Sequence, residues 1–261
     1  MDAKSNTDIQ SNHEQAEQRI RPFGIIDLIV VTTAMAVLFK LHGLHMSSRS
    51  SDSGPMWMLL VFGYAMSSVW SGLALSALYW LPMQFSGTGK FFRQPGHWIL
   101  GCFSIFSIGR VVFRVWFIHG PSLDITDALL PAVGLLVWSV SYLCGAILAT
   151  VAAFKVRGGW RVSMMFLIAF SISGMVAYAM GAIAVFFSLS SMFDYSSWFQ
   201  GGQQVVGFLV AITTGVAVCI DLVKKSRRDW LHWIGVVVVV VDLALIPLLQ
   251  FVSVYFMQET L

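Results

Sequence analysis

The sequence predicts an all-α polytopic membrane protein of seven transmembrane helices, and three observations carry that prediction. Of the 261 residues, 57% are hydrophobic and only 11% charged, with a mean hydropathy of +0.76. A soluble domain carries about 25% charged residues, so the bilayer is the expected solvent. Apolar stretches long enough to span a hydrocarbon core of about 30 Å, which takes about 20 helical residues, recur seven times. Finally, Lys and Arg crowd into alternate connections, as the positive-inside rule requires.

Residues 1–22 hold Asp2, Asp8, Glu14 and Glu17 beside Lys4, Arg19 and Arg21, with few large apolar side chains. This composition predicts a disordered cytoplasmic tail. It is too long and too acidic for the leading region of a signal peptide, and no small-residue cleavage site closes the next apolar run. That run is therefore expected to stay as the first anchor. The spans are expected at 23–41, 56–81, 97–118, 128–154, 162–189, 205–222 and 231–256, forming one bundle over 23–256, with 257–261 a short outer tail. Ser47 to Pro55 is polar, Ser86 to Gly96 holds Gly, Lys and Arg, and Gly120-Pro121 closes the third span. Each break is a turn by composition.

Twelve of the sixteen basic residues fall on one side: Lys4, Arg19 and Arg21, then Lys90 and Arg93, Lys155, Arg157 and Arg161, and Lys224, Lys225, Arg227 and Arg228. The other side has Arg49 in its loops, with Lys40 ending the first helix and Arg110 and Arg114 inside the third. The N-terminus is thus expected in the cytoplasm and the C-terminus outside. Tryptophans agree: Trp80, Trp98, Trp160, Trp230 and Trp233 fall at inner ends and Trp57, Trp116 and Trp198 at outer ends, leaving only Trp70 and Trp138 deep. The brief connections Lys155 to Arg161 and Val223 to Trp230 join antiparallel neighbours. Small residues at Gly63/Ser67/Ser71 and Ala177/Gly181 suit close helix packing. Cys102, Cys144 and Cys219 lie in apolar spans without metal-ligand spacing and read as small buried hydrophobes.

The segment Arg21-Pro22-Phe23-Gly24-Ile25-Ile26-Asp27-Leu28-Ile29-Val30-Val31-Thr32-Thr33-Ala34-Met35-Ala36-Val37-Leu38 resembles the first helix of uncharacterised polytopic membrane proteins of planctomycete-type bacteria. There, an aromatic, an isoleucine and an Asp-Leu pair precede an apolar run. The resemblance covers residues 21–38 and implies a bacterial inner membrane; it implies no activity. Read without it, Pro22 suits a helix start, Asp27 one turn in favours the positive helix terminus and reaches water, and Thr32 and Thr33 bond back to helix carbonyls.

Charge inside the membrane marks the candidate site. An Arg at the bilayer centre costs about 2.5 to 3.5 kcal/mol on insertion scales, so it needs a partner or a purpose. Arg110 lies 13 residues beyond His97, about 20 Å into the third span, and Asp242 lies 12 beyond Trp230, at nearly the same depth. As the only acid deep in any span, Asp242 is the expected partner of Arg110. Ser104, Ser107 and Arg114 continue a polar seam on the third helix. Arg114, one turn nearer the outside, is expected to snorkel or to meet Asp124 or Asp127.

At the outer end, His42, His45 and His119, with Met46, Met56 and Met58 nearby, offer a weak metal set suited to copper, or to a harder ion with Asp52, Asp124 and Asp127. Residues 188–204, polar, aromatic and nearly uncharged, read as an outer interfacial lid. No nucleophile motif, phosphate loop or metalloprotease pattern appears, and no lysine in the seventh span serves a retinal Schiff base. The Lys224-Lys225-Ser226-Arg227-Arg228 run reads as a topology determinant with secondary attraction to anionic lipid, not a nucleic-acid site. No resident cofactor is expected apart from that outer-face ion. The lipid bilayer is the expected partner, with a further membrane protein or a second copy left open. The leading functional reading is a non-enzymatic inner-membrane protein in which Arg110 and Asp242 clamp two helices. A small permease or channel along the same seam is the alternative, and an outer-face metal-dependent enzyme the third.

The topology is checked with reporter fusions. Alkaline phosphatase fused after Leu261 is expected to be active and a fluorescent protein there dark, whereas a fluorescent protein fused before Met1 should be bright.

Overall fold

The computed structural model describes residues 25–47, 65, 68–69, 71–80, 94–119, 129–226, 228–245 and 247–248; at 41–47, 114–119, 130, 190, 193 and 245 the backbone alone is described. All regular structure among these residues is helical. We number the helices α1 (Ile25–Ser47), α2 (71–80), α3 (Pro95–His119), α4 (Leu129–Lys155), α5 (Gly159–Phe187), α6 (Ser190–Val223) and α7 (Trp230–Val240), the last running into a π-helical turn, Val241–Leu245. Four helical segments are long and apolar enough to cross a membrane, Pro95–Phe113, Pro131–Lys155, Gly159–Phe187 and Asp194–Val223, and Trp230–Ala244 is a shorter apolar helix.

Burial is arranged for a lipid solvent. Along α4 the exposed side is Leu136, Val140, Leu143, Ile147, Val151 and Phe154, large apolar residues at three- and four-residue steps. Its buried side is made of smaller or polar residues, among them Ser139, Ala146, Ala149 and Ala152. A water-soluble protein does not present such a stripe, whereas small interior residues and large lipid-facing ones suit helix packing in a bilayer. Hydroxyls inside the helices bond back to their own turns: Ser76 to the Gly72 carbonyl, Ser171 to Leu167 and Thr150 to Ala146, at 2.7 to 2.8 Å. Thr32 does the same, donating to Leu28 and Ile29.

Helix α3 is the centre. Two-thirds of its apolar window is buried, against one-third for α6, and it touches α1, α4 and α7. Against α4, the Phe106 ring occupies the space that a side chain on Gly145 would take. Against α7 the approach is closer still: a Cβ on Gly96 would fall on the His232 backbone, and one on Gly235 on the Gly96 carbonyl. Helices α4, α5 and α6 then pack in succession. Ser139 of α4 donates to the Met175 carbonyl of α5 at 2.8 Å, and Ser196 of α6 to the Ala177 carbonyl of α5 at 3.0 Å. Ala177 and Gly181 thus face α6, with Gly181 close to Ser196.

Several expectations are corrected. Residues 188–204 do not form a lid: Ser188, in the left-handed region at φ 54, and the extended Leu189 make a tight turn, and α6 begins at Ser190. The polar N-terminal half of α6 is helical because Ser196 and Gln203 are buried while Asp194, Ser197, Gln200 and Gln204 are exposed. The helices that hold the expected spans 162–189 and 205–222 run Gly159–Phe187 and Ser190–Val223. Of the cysteines only Cys102 is buried; Cys144 and Cys219 are exposed on the apolar surface.

Alanine substitutions test the closest contact. Gly96→Ala and Gly235→Ala are each expected to lower stability by about 1 to 3 kcal/mol through overpacking, read as thermal unfolding in detergent. Gly201→Ala, where a Cβ meets open space, should leave stability unchanged or raise it by less than about 1 kcal/mol.

Candidate functional site

The structure brings the two deep charges together. Arg110 of α3 donates from its two terminal nitrogens to the two Asp242 oxygens, at 3.3 and 3.4 Å, and one of the same nitrogens reaches Ser71 Oγ of α2 at 3.4 Å. The paired side chains are 20% and 12% exposed. Asp242 sits in the π-helical turn, a local widening frequent at functional positions. Tyr142 of α4 and Tyr178 of α5 stand close enough to feel both charges, and their rings stack at 5.5 Å. Trp138 stacks on Tyr178 at 4.2 Å and Phe106 on Tyr142 at 4.7 Å. The Gln203 amide and the Tyr142 ring share the space left by Gly174. Side chains from α2 through α6 and from the π-helical turn after α7 thus converge on one node inside the bundle.

Of the seam on α3, Ser104 and Ser107 are buried. Ser104 donates to the Leu100 carbonyl at 2.7 Å and also reaches the Ala74 carbonyl of α2, so it serves helix packing. The side chains of Arg114, His42, His45 and His119 lie outside the described residues, as do Asp52, Asp124 and Asp127. Among the described residues no group of three or more His, Cys, Asp or Glu is placed to hold a metal ion.

A second constellation, at the end that carries the basic turns, escaped the sequence reading. Asp229 caps α7 by accepting from the His232 backbone N–H at 2.9 Å, and the same carboxylate oxygen meets His97 Nε2 at 2.8 Å. The backbone N–H of Asp229 donates to Gln94 Oε1 at 3.1 Å. In return, His232 Nδ1 of α7 accepts the Gly96 N–H at 2.9 Å. Each helix therefore satisfies orphan N–H groups of the other, donors that a helix start always leaves over. Because Nδ1 is the acceptor, His232 is neutral with its proton on Nε2, a tautomer assigned from the bond it makes.

Two further acids at this end are buried. Asp27 is 2% exposed and accepts from the Trp80 indole at 2.9 Å. It does not lie open to water at a helix start; α2 covers it, and the Trp80 ring is seated edge-on against Trp230. Asp221 of α6 accepts from the Trp160 indole of α5 and from Arg228, both at 2.9 Å. The sequence cue was present in each case, an Asp and a Trp at neighbouring helix ends on one side, but pairing them requires knowing which helices touch.

The His97 and Asp229 pair and the Arg110 and Asp242 pair have the same sequence separation, 132 residues. Helices α3 and α7 run parallel and are joined by two polar rungs 13 residues apart, a rise of about 20 Å. No family model, curated protein or solved structure matches the chain. The fold and this geometry define an all-helical membrane protein whose third and last described helices are linked through polar contacts.

Burial pulls the Asp229 carboxyl upward, but the hydrogen bond and charge of His97 and the His232 backbone N–H outweigh it and hold the group below its ordinary value. A depressed carboxyl contributes stability that is present above its unfolded pKa and lost as pH falls through the folded one. Asp229→Ala is expected to cost about 0.5 to 2 kcal/mol near neutrality. In thermal unfolding, the gap between wild type and Asp229→Asn should close as pH drops below the ordinary aspartate range.

Proposed function

We propose that the chain is a seven-span protein of the bacterial inner membrane, N-terminus in the cytoplasm and C-terminus outside, with a structural, assembly or sensory-accessory role and no chemistry of its own. In this reading Arg110 and Asp242 form a clamp that fixes α3 against α7. The observation that carries it is the second rung: His97, Asp229, His232 and Gly96 bind the same two helices about 20 Å away, so the deep pair continues an existing seam. An anchor of this kind suits a protein that holds a membrane-protein partner or a second copy in place.

The π-helical turn under Asp242 and the Tyr142 and Tyr178 rings beside it favour one other reading, a small permease or channel. Intramembrane ionisable residues commonly line a pathway, and both members of this pair keep some exposure.

Charge reversal separates the readings. For a clamp, Arg110→Asp and Asp242→Arg should each lose about 3 to 5 kcal/mol, the usual result of stranding a buried charge, and show little folded protein by size-exclusion profile. The double exchange should restore it. If Arg110→Gln and Asp242→Asn instead fold at wild-type levels and abolish solute flux in reconstituted vesicles, the permease reading holds and the clamp fails.

A further inference from the structure

The two basic turns that the sequence places far apart meet at one end of the α5–α6 hairpin. Gly159, which opens α5, packs on Ala217 and Ile220 of α6, and Trp160 bonds Asp221. This puts Lys155, Arg157 and Arg161, around the start of α5, beside Lys224 and Lys225, at the end of α6. All five are exposed.

Among the described residues no acid is left over to offset this charge. The three aspartates described at the same end are already engaged, Asp27 by Trp80, Asp221 by Arg228 and Trp160, and Asp229 by His97. Among the described residues, none of the five cations forms an ion pair. Helix dipoles account for only part of the arrangement. Lys155, Lys224 and Lys225 lie at helix C-termini, where cations are favourable, but Arg157 and Arg161 flank the N-terminus of α5, the positive pole. That terminus has no acid in its first turn and no side-chain cap. The arrangement is unfavourable within the protein and becomes favourable when an anion is added.

Large apolar side chains border the cations. Phe154, beside Lys155, is 79% exposed, and Leu222 and Val223, beside Lys224, are 61% and 83% exposed. Phosphate-binding cations next to bare hydrocarbon match the two parts of a lipid molecule. We infer that the α4–α5 and α6–α7 turns form a binding surface for an anionic phospholipid, its phosphate held by Arg157, Arg161, Lys224 and Lys225 and its chains lying on the apolar rim. This requires a membrane protein but is independent of whether Arg110 and Asp242 act as clamp or pathway.

The test uses the full chain in nanodiscs of phosphatidylcholine, alone or mixed with phosphatidylglycerol. Wild type is expected to unfold at a higher temperature in the mixed discs, and Arg157→Gln with Lys224→Gln and Lys225→Gln to lose that gain. Each cation near a lipid surface is worth about 1 kcal/mol, or roughly fivefold, so the triple variant should bind phosphatidylglycerol about a hundredfold more weakly. An equal gain in the triple variant overturns the proposal. So does an equal gain when inorganic phosphate is added to discs of phosphatidylcholine alone, because the anion would then be free phosphate. These cations also set topology, so wild type is examined separately by native mass spectrometry from mixed micelles. Selective retention of phosphatidylglycerol is expected, and equal retention of both lipids overturns the assignment.

Discussion

The contact between α3 and α7 is the constraint on which the rest of the structure depends. Two glycines, Gly96 and Gly235, bring the backbones together, with the His232 backbone against Gly96. Close approach alone gives only dispersion, because lipid tails are as apolar as the side chains they would replace. Polar contacts supply the specificity: a reciprocal capping network at one end and an Arg–Asp pair about 20 Å along. At an effective dielectric of about 20, unit charges about 4 Å apart attract by roughly 4 kcal/mol. That attraction offsets a large part of the insertion cost of about 2.5 to 3.5 kcal/mol that each of the two charges carries. Neither charge is tolerable there alone, so the pair makes the packing of α3 on α7 conditional on both.

The end that carries the basic turns follows the same logic with different donors. Three aspartates there take hydrogen bonds from indoles, an imidazole and a guanidinium in the protein itself. A buried carboxylate without such donors would cost several kcal/mol. Trp80 and Trp160 are therefore more than members of an interfacial aromatic belt. Each orients a carboxylate on a neighbouring helix, joining α1 to α2 and α5 to α6.

Much of this was legible in the sequence, and the failures have physical causes. Helix existence followed from apolar runs of bilayer length, and the matched depth of Arg110 and Asp242 followed from counting residues from each helix start. Ser, Gln and Gly between Ser188 and Gln204 look like a loop by composition, but a helix needs only one buried stripe, and Ser196 and Gln203 supply it in the N-terminal half of α6. Asp27 was misread because an Asp in a first helical turn usually faces water, and only the position of Trp80 shows otherwise. His97 and His232 gave no sign at all. A lone histidine near a helix start has many bland explanations, and its role here depends on a parallel neighbour 132 residues away.

The two rungs differ in tightness, and that difference bears on how the bundle can move. His97 meets Asp229 at 2.8 Å, within the usual range for a charge-assisted bond, whereas Arg110 meets Asp242 at 3.3 and 3.4 Å across a π-helical turn. The first rung is further secured by backbone capping in both directions, so separating it exposes several donors and acceptors at once. The second is a pair of side chains backed by one serine and two tyrosines, with a widened helix turn able to give. Any relative motion of α3 and α7 should therefore pivot at the capped end and open at the charge pair.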